Sequence, residues 1–358
     1  MFRITKLLVC WLVGLLLVSY IGSRTFIPNL NNGLGSPQNG QNFSFYKSLA
    51  QWDGGNYIYI SQNGYDQTKY FAFAPIYPIL IMFFAQIVKN QITAGLIISF
   101  SATILFFNIY FLYLKEKLSA NIARDTIFTF LFFPTTFFMV FVYSESLFLA
   151  TVALALYFFE KKNYKAAAIF TGFAGLTRFI GVFLALSFIT SLVKKRSWSE
   201  IPFFIVSFLP ITLFSLTLFL FYSDPLLFVS VESDWQRFIQ NPLTTITNTA
   251  SDIFINKNTN ISTIFDLIST VSFIALLIAG IKKIPTYLWA FSAFALLIPA
   301  STGTLTSMPR YVLASLGTYT IAAIYVQNHK ILKIVIWSIM LAVQAYFAAR
   351  FVTGYWVA

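Results

Sequence analysis

The sequence predicts an all-α, polytopic membrane protein, and three observations carry that prediction. Of 358 residues, 58% are hydrophobic and 10% charged, against about 45–50% and about 25% in an ordinary soluble domain. Mean hydropathy is +0.75, which leaves too little polar surface to clothe a water-soluble core. The charges fall between long charge-free runs, as loops fall between spans. Disorder, collagen, coiled coil and nucleic-acid binding are excluded. The net charge of +12 comes from 24 Lys and Arg scattered along the chain, with no run that makes a basic patch. A single cysteine, Cys10, rules out an intrachain disulfide.

The charge-free runs cover residues 7–23, 70–88, 90–114, 126–144, 146–159, 166–177, 179–193, 201–223, 267–281, 284–309, 311–328 and 334–349. The first has a cationic start and small residues at its end, like a secretory signal; with so many spans behind it, it reads as a retained helix. A crossing needs about 20 apolar residues, so 146–159, 166–177 and 179–193 are short, tilted pieces. Cations fix the orientation. With the N-terminus inside and 70–88 an interfacial or re-entrant segment, Arg3/Lys6, Lys115/Lys117/Arg124, Lys161/Lys162/Lys165, Lys194/Lys195/Arg196, Lys282/Lys283 and Lys330/Lys333 all lie in the cytoplasm. That satisfies the positive-inside rule. A full crossing at 70–88 would put Lys115 and Lys117 outside. The expectation is about 11 crossings, C-terminus out. Residues 29–41 read as a flexible, turn-rich outer stretch. Two outer loops are large, 24–69 and 224–266, and long loops are where function concentrates.

Four blocks place charge where apolar runs meet. The first is Trp52-Asp53-Gly54-Gly55-Asn56-Tyr57, followed by Asn63-Gly64-Tyr65-Asp66 and Phe71-Ala72-Phe73-Ala74-Pro75-Ile76-Tyr77-Pro78. A helix starting there puts Asp53, Tyr57 and Ile60 on one face. Asp53 is then either an N-cap or a general base at the membrane surface. The second block, Phe133-Pro134-Thr135 to Tyr143-Ser144-Glu145-Ser146-Leu147, leaves Glu145 as a helix cap or as an ionisable group at the outer boundary with a functional role. The third sets a lone Arg178 between short apolar runs, for snorkelling or for binding an anion such as a lipid phosphate. The fourth, Thr304 to Tyr311, opens a helix with Pro309-Arg310. Arg310 opposes the helix dipole there, which calls for a compensating anion. Asp224, Glu232 and Asp234, beside Trp235, read as a solvated loop. Asn42-Phe43-Ser44 and Asn260-Ile261-Ser262 are glycosylation sequons on outer loops. One histidine, His329, and one cysteine make zinc ligation and His-based triads untenable.

These blocks, in this order, resemble the PIG-V-type mannosyltransferases, relatives of GPI mannosyltransferase II in the GT-C class of membrane glycosyltransferases. The C-terminal Gly354-Tyr355-Trp356-Val357-Ala358 is similar to that of prokaryotic members. The resemblance implies a single GT-C-like bundle over 1–358, with an interfacial helix in the first outer loop (22–90) and a second large outer loop at 224–266. It implies transfer of mannose, or a related sugar, from a polyprenyl-phosphate-linked donor to an extracytoplasmic acceptor, with inversion. Asp53 matches the first-loop acidic residue proposed as catalytic in such enzymes, and Glu145 the second acidic site. Two departures stand out: Gly54-Gly55 is smaller than the family suggests, and 224–266 shows no family pattern, which leaves the acceptor (glycolipid, glycan or protein) open.

The residues fit that chemistry. A lipid-linked donor needs no nucleotide-binding domain. Arg178 and Arg310 are the candidates for the donor phosphate. Trp52, Tyr57, Tyr65, Tyr77 and Tyr311 are candidates to pack against sugar and lipid. No cofactor is required; two carboxylates leave room for a divalent metal. The alternatives are a transporter or flippase of lipid-linked sugars, which usually carries ionisable groups at the membrane midplane and internal repeats, and a non-catalytic subunit. The host membrane is the cell membrane in a prokaryote or the endoplasmic reticulum in a eukaryote, with the active site on the non-cytoplasmic face.

Overall fold

The structure, a computed structural model, describes residues 2–29 and 43–357, without the side chains of Phe2 and Arg3. Residues 30–41 of the turn-rich stretch, Asn42 of the first sequon, the Arg3 cation and Ala358 therefore lie outside the described residues. All regular structure among the described residues is helical. Five helices are long and apolar enough to cross a membrane: Ile4–Thr25, Gln91–Lys117, Trp198–Tyr222, Ile261–Ala279 and Lys330–Val352. Four shorter apolar helices, Ile76–Val88, Phe179–Lys194, Thr286–Ala300 and Leu316–Val326, complete the apolar set. Glu145–Glu160 lies at the centre, packed on one side against Gln91–Lys117 and on the other against Tyr164–Thr177.

Local chemistry explains many of the boundaries. Side chains of Asn90, Ser119, Asn163, Asn241 and Asn260 accept hydrogen bonds from backbone N–H groups of the helices they precede, satisfying donors that a helix start leaves free. Pro299 and the turns after it end Thr286–Ala300 well short of 309. The expected span at 201–223 falls within Trp198–Tyr222, which a turn at Ser207-Phe208 divides into Ile201–Val206 and Leu209–Tyr222, the second with Pro210 in its first turn.

The largest departure from expectation is 126–144. The helix Ala120–Leu131 stops at Phe132, just ahead of Pro134, and a buried, non-helical stretch runs to Ser144 with one 3₁₀ turn at Thr136–Met139. Proline removes a donor and disfavours helix before it. Irregular backbone at this depth persists only where protein satisfies it, and here it does. Gln344 Nε2 donates to the carbonyls of Leu131 (3.0 Å) and Phe133 (2.7 Å). Thr103 Oγ1 donates to Met139 O (2.6 Å), and Val142 N–H donates to Leu49 O (3.0 Å).

Ile76–Val88 doubles back on the first half of Gln91–Lys117. Near its start, Tyr77 hydrogen-bonds Ser99 of the next helix (2.8 Å), and its last residue lies two positions before that helix's N-cap, Asn90. Loops assigned to the cytoplasm converge at the opposite end. Lys117 pairs with Glu160 (2.9 Å), Lys161 with Glu116 (2.9 Å) and Lys333 with Asp125 (2.6 Å). Lys117, Lys194, Lys195, Lys282 and Lys283 line one hollow there.

Candidate active site

At the end away from those lysines lies a cavity of about 950 Å³. Its polar end is built from the first residues of helices. Asp53 opens Asp53–Asn63 and Glu145 opens Glu145–Glu160. Carboxylates in a helix's first turn are favoured by its dipole. Neither is an N-cap: Trp52 and Ser144 hold those positions, without side-chain capping bonds.

Asp53 and Glu145 instead share one arginine. Arg310 Nη1 donates to Asp53 Oδ2 at 2.6 Å, and its Nε lies 3.4 Å from Glu145 Oε1. Arg178, which caps the C-terminal end of Tyr164–Thr177, donates Nη1 to the same Glu145 oxygen. The anion demanded by Arg310 at its helix start is therefore Asp53, from 257 positions earlier in the chain. Glu145 is 3% exposed and Arg310 7%, so these pairs sit in low dielectric, where charges are costly unless partnered.

Two backbone strains aim these groups. Trp52 has φ 56° and Ser307 φ 71°. Left-handed values are rare outside glycine, above all for a bulky residue. Each turns the chain just before a segment that delivers a charge, Asp53 or Arg310. Gly54 explains its own smallness: a Cβ there would meet Val142 O at 2.9 Å. Gly95 receives the Val142 side chain in the same way, at 2.7 Å. The non-helical stretch thus wedges against the first loop, and Thr135 Oγ1 donates to Pro309 O at 2.5 Å on its other flank.

The second outer loop, expected to be solvated, contributes groups to the site. Glu232, Trp235 and Arg237 line the cavity, so this part of the loop is wall and not solvated surface. Arg237 donates to Thr302 Oγ1 (3.0 Å) and Thr306 O (3.0 Å), and its Nε lies 3.7 Å from Glu232 Oε2. Burial pushes the Glu232 carboxyl above its usual range, with Arg237 opposing. The guanidiniums of Arg178, Arg237 and Arg310 surround Tyr311, with 5.6, 5.2 and 5.5 Å to its ring centre, a cation–π arrangement.

Trp52, Tyr57 and Tyr311 line the cavity with these charges. Burial pushes the Tyr57 phenol up and keeps it neutral, against the hydrogen bond its hydroxyl makes with Ser144 Oγ at 2.8 Å. Tyr65 and Tyr77 do not line it. Tyr65 stacks on Phe71 and donates to Phe73 O (2.8 Å), while Tyr77 is fully buried behind Tyr57. Both rings pack the first loop. Beyond the charges the wall turns apolar, with Phe148, Phe179, Val182, Phe183, Ile211 and Ile298. Among the described residues no cluster of three or more metal-ligating side chains occurs.

No family model matches the chain. It is 31% identical to GPI mannosyltransferase 2 of Schizosaccharomyces pombe over 150 residues, which is 40% of this chain and 32% of that protein. The chain thus matches about a third of the length of that relative. Its fold is similar to ArnT from Cupriavidus metallidurans bound to undecaprenyl phosphate. The TM-score is 0.53 at 13% identity, covering 90% of this chain and 60% of that one. All-helical among its described residues, the chain is a membrane protein with an ArnT-like GT-C fold, and its sequence resembles the PIG-V-type mannosyltransferases.

Proposed function

We propose that this protein is a membrane glycosyltransferase that moves a sugar, mannose or a close relative, from a polyprenyl-phosphate carrier to an acceptor hydroxyl on the non-cytoplasmic side. One observation supports this most: two carboxylates and two guanidiniums from four distant segments meet, with Glu232 and Arg237 near by, at the polar end of a cavity whose wall beyond that end is apolar. An apolar wall suits a lipid chain, and the charged end suits the phosphate and the reacting centre. Undecaprenyl phosphate, bound by the protein of similar fold, is a carrier of this class. The stretch shared with GPI mannosyltransferase 2 favours mannose.

In this reading Asp53 removes the acceptor's hydroxyl proton as that oxygen attacks the anomeric carbon. The bond from that carbon to the phosphate oxygen breaks, its electron pair stays with the phosphate, and polyprenyl phosphate leaves. A single displacement inverts the anomeric centre. Arg178 and Arg310 take up the charge that grows on the phosphate; a preorganised donor at such a position is typically worth about 10²–10³ in rate. Glu145 holds both guanidiniums in place beforehand. The lysine-rich end faces the cytoplasm by the positive-inside rule, which turns the cavity outward: across the cell membrane in a prokaryote, into the endoplasmic reticulum lumen in a eukaryote.

The test is transfer by purified protein from polyprenyl-phosphate-mannose to candidate acceptors, followed by mass spectrometry. Asp53→Asn is expected to lower turnover about 10²–10⁴-fold, the range for a general base, while the protein stays folded because Glu145 still faces Arg310. Near-wild-type transfer by this variant would remove Asp53 as base.

A further inference from the structure

The lysine-rich end of the bundle holds a hollow of about 490 Å³, lined by Lys117, Lys194, Lys195, Lys282 and Lys283 and by no carboxylate. The five come from three places in the chain: the end of Gln91–Lys117, the end of Phe179–Lys194, and the turn between Ile261–Ala279 and Thr286–Ala300. The positive-inside rule explains lysines on this face, but not their gathering around one space. On the same face Lys161 is matched by Glu116 and Lys333 by Asp125. In the hollow Lys117 has Glu160 as partner. Among the described residues Lys194, Lys195, Lys282 and Lys283 make no ion pair. Like charges that share a space repel one another. Lys282 and Lys283 also stand just before the start of Thr286–Ala300, a helix without a side-chain cap, where the helix dipole disfavours a cation. An anion in the hollow relieves both costs.

The surroundings narrow the anion. Lysine binds phosphate as a point charge, and a hollow many times the about 30 Å³ of one water has room for a whole headgroup. Its rim is that of a membrane surface. Val193 and Ile281, next in sequence to Lys194 and Lys282, are exposed apolar side chains, as a lipid-facing wall requires. Trp198, also exposed, follows Lys195 by three residues and opens Trp198–Tyr222; tryptophan collects at the level of the headgroups. Anionic lipids are held by lysine clusters at this depth. We propose that the hollow binds the phosphate headgroup of an anionic phospholipid, whose acyl chains run along Val193 and Ile281. The site stands at the far end of the bundle from the carboxylate–arginine network and does not depend on sugar transfer.

The experiment titrates the full chain in detergent with phosphatidylglycerol, which is anionic, and with phosphatidylcholine, which is neutral overall, and reads bound lipid by native mass spectrometry. Wild type is expected to bind phosphatidylglycerol about tenfold more tightly. Lys282→Gln/Lys283→Gln should cut that preference to about twofold or less, and Lys194→Gln/Lys195→Gln, on the other side of the hollow, should do the same. Lys162→Gln/Lys165→Gln removes two exposed lysines of the same face that do not line the hollow, and should leave the preference intact. Inorganic pyrophosphate at the lipid's own concentration should leave the lipid bound. Absence of any preference in wild type overturns the site. An equal loss in all three double variants overturns it too, in favour of diffuse surface charge. Displacement by pyrophosphate would make the hollow a site for a soluble phosphate and overturn the lipid assignment.

Discussion

Arg310 is the hinge of the charge network, because among the described residues it alone pairs with both carboxylates. Removing one partner of a buried ion pair costs about 3–5 kcal/mol, more than the pair itself contributes. Arg310→Leu should therefore lower unfolding stability in detergent toward the lower end of that range, since Asp53 keeps some solvent contact. Wild-type stability in this variant would mean that the carboxylates find other partners. Asp53, Glu145, Arg178 and Arg310 were legible in the sequence because each is the lone charge of an otherwise uncharged block, where burial makes a partner obligatory. Arg237 and Trp235 were not. They lie among other polar residues, and nothing in composition separates a cavity wall from a wet loop. Tyr65 and Tyr77 erred the other way: aromatic rings near a polar motif are as useful for packing as for binding.

At the level of elements, helices with Asn or Ser starts were readable, and 132–144 was not. Its Phe-rich composition has the hydropathy of a span, and hydropathy does not say whether backbone groups are paired along a helix or by side chains from elsewhere. Gln344 is the clearest of those side chains. It gives two hydrogen bonds to the broken stretch and accepts one from Trp11 Nε1 at 2.9 Å. Gln344→Leu keeps the bulk but orphans two carbonyls and an indole N–H. At about 1–3 kcal/mol for a buried group left unpaired, this substitution should cost at least about 2 kcal/mol of unfolding free energy. A loss well below that would mean that the stretch rearranges to pair itself.

For the molecule as a whole, orientation is the property that decides where the chemistry happens. Cys10 is the single cysteine and is exposed, so a Cys10→Ser background is clean for labelling. Asp66→Cys, on the first outer loop, should react with an impermeant maleimide from outside only, and Lys195→Cys from the cytoplasm only. The reverse pattern would turn the cavity to the wrong side for the proposed donor. The fold class and the two-ended distribution of charge were legible because the membrane constrains composition so strongly; the depth of the second loop within the cavity was not, since it depends on contacts between distant segments.

The reach of 257 residues from Asp53 to Arg310 also sets a clock on biogenesis. Asp53 leaves the ribosome long before its counter-ion is made, and Glu145 follows it into the same wait. Both carboxylates must spend that interval hydrated at the membrane rim, a place where waiting costs little. A nascent or truncated polypeptide that stops before residue 310 holds Asp53 but lacks the cation that pairs with it. The charged end of the cavity therefore comes into being late, once translation has delivered nearly every helix that surrounds it.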